Sequence, residues 1–263
     1  MITSAANARV KQVVQWQSKA RERKKDKVYP VEGFKMYEEA PEEGILEVYV
    51  SEEAIQKPDS GIEQPIWDKL QRTGYEVVAA DVFRKMSDTQ TPQGILTVMR
   101  QPMYDLEELL SKPNPLFVVL ENLQDPGNLG TIMRTGEGAG ITGVIMSEQT
   151  VDIFNPKTIR ATMGSIYRVP FVYVQDMKET LQKLHEHGIH TYAAHLRGST
   201  YYDAFSFAEP TAFLIGNEGN GLQKETADAA EHYLKIPMEG QVESLNAAVA
   251  TALLMYEAHR QRS

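Results

Sequence analysis

Three stretches of this 263-residue chain gather residue types that can hold and orient a polar ligand. The first is ENLQDPGNLGTIMRTGEGAG (121–140). Asp125-Pro126-Gly127 turns the chain, Asn128 is placed to cap the helix that follows, and Arg134 comes two turns later. Arg134 lies among Thr131, Ile132, Met133 and Ala139, so its guanidinium requires an anionic partner: a ligand, or a carboxylate of the protein. The second is LIGNEGNGL (214–222), with Gly216, Gly219 and Gly221 around Asn217 and Glu218. Glycines after a buried strand let backbone groups approach a ligand, and a plain loop is the alternative. The third is IPMEGQVESLNAAVATALLMYE (236–257), a short strand, a glycine-containing loop and a helix opening. Ser244 is the expected N-cap there, with Leu245 and Asn246 in the first turn.

Other chemistries lack their signals. Gly136, Gly138 and Gly140 end a helix instead of opening one after a strand, so they read as a C-cap with close packing and not as a dinucleotide fingerprint. No Lys-Ser/Thr follows the second glycine cluster, which excludes a phosphate loop. There is no Gly-x-Ser-x-Gly elbow and no cysteine nucleophile. His185, His187 and His190 match no metal-site spacing and read as a solvated helix end, so no metal is expected.

These stretches need strands to carry them. LFVVLEN (116–122), TGVIMSE (142–148), YRVPFVYV (167–174), IHTYAAH (189–195), TAFLIGN (211–217) and LKIPM (234–238) read as strands. Helices are expected over 129–139, from the Asn155-Pro156 cap, over 176–187 and over 244–260. Strands alternating with helices imply a mainly parallel sheet with ligands at the strand C-termini, where all three stretches fall. Upstream, a helix over 5–27, strands at 45–52, 75–81 and 93–101 and short helices between them form a smaller α/β unit. Residues 102–115, rich in proline and polar groups, form the expected linker, which gives domains at 1–105 and 106–263.

Composition is that of a globular chain, 42% hydrophobic and 24% charged, which excludes a disordered or collagen-like protein. The start has no signal-peptide h-region and no apolar run approaches a membrane span, so a cytoplasmic protein is expected. Net charge is −9, but residues 1–27 carry eight Lys/Arg against Glu22 and Asp26, a local excess of +6 that leaves −15 on the remainder. The run RERKKDK suits phosphates, and a solvated helix face is the alternative.

In this order the three stretches resemble the motifs of the SpoU-type RNA ribose methyltransferases of the SPOUT superfamily. The Asn-x5-Arg motif corresponds to Asn128 and Arg134, Gly-x-Glu-x-x-Gly to Gly216, Glu218 and Gly221, and Ser-Leu-Asn to Ser244, Leu245 and Asn246. The likeness spans 116–260. Asn7, Lys11, the Arg/Lys run, Val31-Glu32-Gly33 and the 87–96 segment resemble the family's substrate-binding domain, similar to certain RNA-binding ribosomal proteins.

The resemblance implies a C-terminal α/β domain with a deep trefoil knot made by segments around 214–222 and 236–250. It implies S-adenosylmethionine bound by Leu214, Gly216, Asn217, Glu218, Gly219, Ile236, Pro237, Met238, Ser244, Leu245 and Asn246. The implied catalytic set is Arg134, Asn128, Glu218, Ser244 and Asn246. RNA would be held by Lys11, Arg21, Arg23, Lys24 and Lys25 together with Arg134. The expected product is a 2′-O-methylated ribose, in ribosomal rather than transfer RNA, made by a homodimer. A permanently protonated arginine is a poor base, so Arg134 is expected to clamp a phosphate and the developing oxyanion, with Asn128 and Asn246 positioning the substrate and Arg134, and Glu218 orienting Arg134 or holding the pocket. Two competing readings are a non-catalytic RNA-binding protein of the same fold and a nicotinamide- or nucleotide-dependent α/β enzyme. The latter lacks the glycine-rich turn after its first strand.

Overall fold

In this computed structural model, described over residues 1–56, 63–196, 198 and 200–263, the chain forms two compact units. The first comprises Met1–Pro102 and Asp152–Tyr167, the second Met103–Val151 and Arg168–Ser263.

The first unit begins with α1 (Ala8–Ser18) and α2 (Ala20–Asp26). Asn7 caps α1 by accepting from Arg9 N at 2.9 Å, and Val10, Val13 and Trp16 bury its inner face. The single helix expected over 5–27 is broken at Lys19, which is extended. The break lets Arg23 fold back and donate to the carbonyls of Trp16 (2.6 Å) and Gln17 (3.2 Å), which satisfies orphan groups at the end of α1. There follow β1 (Val28–Glu32), α3 (Phe34–Glu39), β2 (Ile45–Ser51), α4 (Glu52–Gln56), α5 (Gln64–Thr73), β3 (Glu76–Val78), α6 (Ala80–Met86) and β4 (Ile95–Arg100). The sheet order is β1-β4-β2-β3, with β4 antiparallel to both neighbours and β2 parallel to β3.

The second unit contains α7 (Leu106–Leu110), β5 (Leu116–Leu120), α8 (Pro126–Ala139) and β6 (Gly143–Ser147). The expected linker over 102–115 therefore holds a helix. Asp105 caps it by accepting from Glu108 N at 3.0 Å, and Leu109 and Leu110 are buried in the core. After β6 the chain enters the first unit, where α9 (Pro156–Thr162) starts from an Asn155 cap with proline in its first turn, as its sequence requires. Phe154 packs on Tyr29 at 4.7 Å, and the Tyr167 hydroxyl donates to Met36 O at 3.0 Å. These contacts explain why Asp152–Tyr167 joins the first unit.

The chain then continues in the second unit with β7 (Phe171–Val174), α10 (Met177–Glu186), β8 (His190–Ala194), β9 (Thr200–Tyr201), β10 (Thr211–Ile215), α11 (Lys224–Ala229), β11 (His232–Lys235) and α12 (Ala247–Arg262). The seven strands run in the order β7-β6-β5-β10-β8-β11-β9, and every pairing is parallel. The strand expected at 234–238 is shifted to His232–Lys235, because Pro237 has no N–H to give to a ladder. β5 and β10 lie side by side at the centre, but β5 leads toward β6 while the strand beyond β10 is β8. The connections diverge there, which opens a crevice at the strand C-termini. Among the described residues no helix is long and apolar enough to cross a membrane.

Candidate active site

The loops leaving β5, β10 and β11 meet at this crevice, all within the second unit. Gly216 ends β10 under its own loop: a Cβ there would lie 2.0 Å from Gly221 C and 2.1 Å from Leu222 N. Only glycine fits. The loop is closed by Asn217 N to Gly221 O (3.1 Å) and Gly221 N to Asn217 O (2.8 Å), with Gly221 at φ 69°. The Asn217 side chain clips it from within, accepting from Gly219 N (2.9 Å) and Asn220 N (3.0 Å) and donating to Asn122 O (2.9 Å).

Glu218 reaches from this loop to the start of α8. Its carboxylate accepts from Gln124 N (3.0 Å), Asp125 N (2.9 Å) and Asn128 Nδ2 (3.0 Å). Partial burial raises the pKa of this carboxyl, but the donors outweigh it and hold the group below the usual glutamate value. Asn128 Oδ1 in turn accepts from Asn246 Nδ2 at 2.9 Å. Asn246 Oδ1 accepts from Ala248 N (2.9 Å) and Val249 N (3.3 Å), which caps α12. One relay, Glu218–Asn128–Asn246, thus ties the three sequence stretches together.

Two capping expectations are corrected here. Asp125, not Asn128, caps α8, accepting from Asn128 N at 2.7 Å. Asn246, not Ser244, caps α12. Ser244 and Leu245 lie outside the helix and face a cleft. In both cases the side chain expected to cap is spent on the relay or on the cleft wall.

The cleft is about 240 Å³ and is walled by Gly216, Asn217, Glu218, Gly219, Ile236, Met238, Ser244 and Leu245 among the expected cofactor residues. Leu222, Ala247 and Ala250 add apolar surface. Leu214 does not belong to the wall. It is fully buried, and β10 is flanked on both sides by β8 and β5, so its backbone is committed to the sheet. Pro237 is exposed and not part of the wall, and Asn246 acts through its bond to Asn128. Sequence reasoning missed Ala194 at the end of β8, His195 and Leu196 just after it, and Lys235 at the end of β11. Their position at strand C-termini was the available signal. It also missed Glu121, 4% exposed, whose carboxylate accepts from Gln223 N (2.7 Å) and from the Thr226 hydroxyl and so anchors α11 below the loop.

Arg134 is exposed and makes no hydrogen bond or ion pair among the described residues. The protein carboxylate weighed as its partner is therefore absent among them. It lies six positions after Asn128, which in a helix places the two about 120° apart around the axis. Neither Asn128, Asn246 nor Glu218 hydrogen-bonds to it; Glu218 bonds to the start of α8.

In the first unit, Lys11, Arg21, Lys24 and Lys25 are exposed. Arg23 is not available to RNA. It is 3% exposed and donates to Asp152 at 2.6 Å as well as to the two α1 carbonyls. The expectation for Arg23 is overturned because a basic run on a helix must still bury one face.

Comparison with known proteins decides the family. Residues 115–256 match the SpoU rRNA Methylase family, and residues 7–97 match the MRM3-like substrate binding domain. The chain belongs to the SpoU methylase family. It is 32% identical over 257 residues to the 23S rRNA (guanosine(2553)-2′-O)-methyltransferase RlmP of Bacillus subtilis, with 97% of each chain covered. It resembles the SpoU methyltransferase AviRb from Streptomyces viridochromogenes in complex with AdoMet, at TM-score 0.86, 26% identity and coverage of 97% and 98%. An AdoMet-bound rRNA methyltransferase from Sinorhizobium meliloti matches at TM-score 0.83, 27% identity and coverage of 98% and 97%. The SpoU chain is an S-adenosylmethionine-dependent RNA 2′-O-ribose methyltransferase. Its cleft fits that cofactor. Leu222, Ile236, Met238 and Leu245 offer apolar walls for a purine, and the glycine loop exposes backbone groups beside Ser244, His195 and Lys235.

Proposed function

We propose that this enzyme methylates a ribose 2′-hydroxyl of ribosomal RNA in the cytoplasm, acting as a homodimer. The observation that carries the site assignment is the Glu218–Asn128–Asn246 relay, which joins three distant loops around one cleft. The match of residues 7–97 to a substrate binding domain and the coverage of a 23S rRNA enzyme from end to end support the RNA class. We assign RNA capture to residues 1–105 and methyl transfer to 106–263.

When bound, S-adenosylmethionine supplies the electrophilic methyl group. Ile236, Met238, Leu245 and the 216–219 loop hold it, and Ser244 lends a hydroxyl to the same wall. Glu218 fixes the entrance to α8, and Asn128 and Asn246 hold the loops in register. Arg134, a free guanidinium, clamps a phosphate of the RNA and stabilises charge developing on the 2′-oxygen. The hydroxyl proton passes to a phosphate oxygen or to water, since Arg134 keeps its own.

The dimer reading rests on α12. Val249, Leu253 and Tyr256 are 49%, 39% and 49% exposed and share one helix face with Ala252, beside Thr131 and Tyr202. This apolar face of an otherwise acidic chain suits a second copy. The trefoil knot is supported by the return of α12 onto α8 and β10 after the chain has passed through β11 on the far side of β8.

The test is calorimetry with S-adenosylmethionine, S-adenosylhomocysteine and NAD, followed by incubation with unmodified ribosomal and transfer RNA and mapping of 2′-O-methyl groups. Saturable binding of the first two and a new methyl in ribosomal RNA are expected. A methyl confined to transfer RNA would overturn the substrate assignment.

A further inference from the structure

We propose that the 87–93 loop of the first unit reads unpaired nucleotides of the RNA substrate through neutral side chains, and that Glu32 is the positioning residue that holds it in shape. The inference rests on the assignment of RNA capture to residues 1–105.

The loop runs from the end of α6 to the start of β4. Glu32, the last residue of β1, turns its carboxylate into the loop. It accepts from the Ser87 hydroxyl (2.6 Å), the Thr89 hydroxyl (3.0 Å) and Gln93 N (3.3 Å). Ser87 and Thr89 are bonded to each other as well, with Thr89 N donating to Ser87 Oγ at 3.0 Å. Gln93 folds across Gly33, whose φ of 115° favours glycine, and its Oε1 accepts from Phe34 N at 3.2 Å. The seven-residue 87–93 loop is thus pinned at three points by one carboxylate.

What this frame displays is polar but nearly neutral. Asp88 is paired with Arg160 at 2.9 Å. Gln90, Thr91 and Gln93 are exposed. The Nε2 of Gln93 and the side chains of Gln90 and Thr91 make no hydrogen bond among the described residues. Amides and hydroxyls that are exposed, unspent and held still suit base edges and the 2′-hydroxyl, which unpaired RNA presents. Phosphate recognition uses cations instead, as at Lys24 and Lys25 of α2, and the 87–93 segment itself contains none. Pinning the loop beforehand also removes an ordering cost from binding.

The division of labour makes the test. The full chain is titrated with in-vitro transcribed, unmodified large-subunit ribosomal RNA across a potassium chloride series. The Gln90→Ala/Thr91→Ala double variant removes exposed side chains only, so folding is not at issue. Glu32→Gln turns one carboxylate oxygen into an amide donor, so the side chain can no longer accept all three bonds. Each is expected to weaken RNA binding about tenfold, with the slope of log Kd against log salt unchanged. S-adenosylmethionine affinity should be unchanged in both. Full RNA affinity in the double variant, in a protein whose Lys24/Lys25 variant loses salt slope, would overturn the loop proposal and leave the domain assignment standing. Weaker binding with a shallower slope would also overturn it, since the loop would then be meeting phosphate. A wild-type chain that retains no transcript at any salt would overturn both.

Discussion

Asn246 Nδ2 donates to Asn128 Oδ1 at 2.9 Å while Asn246 Oδ1 caps α12, so one side chain both starts a helix and fixes the register of a loop 118 residues away. These two duties separate by substitution. Asn246→Asp keeps the cap acceptor and loses the donor to Asn128. It is expected to keep thermal stability but to lower S-adenosylmethionine affinity. Asn246→Ala loses both and is expected to cost about 1 kcal/mol of stability from the cap alone. Calorimetric titration with thermal melts on the two variants checks this, and equal cofactor affinity in Asn246→Asp and wild type would contradict it.

The Glu218 network has a pH signature. Its carboxyl is held below the ordinary value of 4.5 by its donors. A depressed carboxylate contributes stability that is complete above the unfolded pKa and is lost as pH falls through the folded one. Glu218→Gln is therefore expected to melt below wild type at neutral pH, with the gap closing below about pH 4.5. Melting curves across pH test it; a gap that persists unchanged into acid would refute the assignment.

Among the described residues Arg134 has no hydrogen bond or ion pair to lose. Arg134→Ala is expected to leave the fold and cofactor affinity intact and to reduce methyl transfer by at least about a hundredfold, as for loss of an oxyanion donor. Arg134→Lys keeps the charge but not the planar fork and should recover only part of the rate. Single-turnover methylation beside calorimetry distinguishes this from a folding defect.

The basic segment splits into two classes. Replacing Arg21, Lys24 and Lys25 by glutamine is expected to flatten the salt dependence of RNA binding by about one unit of slope per phosphate contact, without a stability change. Asp152→Ala strands the buried Arg23 and is expected to destabilise the protein by about 3 kcal/mol. Denaturant titration and filter binding on both variants should give opposite results.

Much of the second unit was legible because its strands are buried on both faces and so read as continuous apolar runs. The glycine ends of α8 and α10 were legible for a local reason, the left-handed turn at Gly140 and Gly188. What escaped were bonds between distant positions. Periodicity along 5–27 shows an amphipathic helix, but the break at Lys19 serves the pairing of Arg23 with Asp152, 129 residues away. Ser244 is as good a cap by type as Asn246, and only the donor bond to Asn128 decides between them. Glu218 follows a buried strand closely, and the amides it accepts from, those of Gln124 and Asp125, lie more than ninety residues away in the chain.

The excursion of Asp152–Tyr167 sets an order of events during synthesis. Arg23 and Tyr29 emerge early, but their partners Asp152 and Phe154 belong to a segment made after β6. The first unit cannot be completed when its own sheet has been made; Arg23 waits for its carboxylate until the chain reaches Asp152, 52 residues beyond the end of β4 at Arg100. Gene fragments ending near Pro102 should accordingly yield an unfinished first unit.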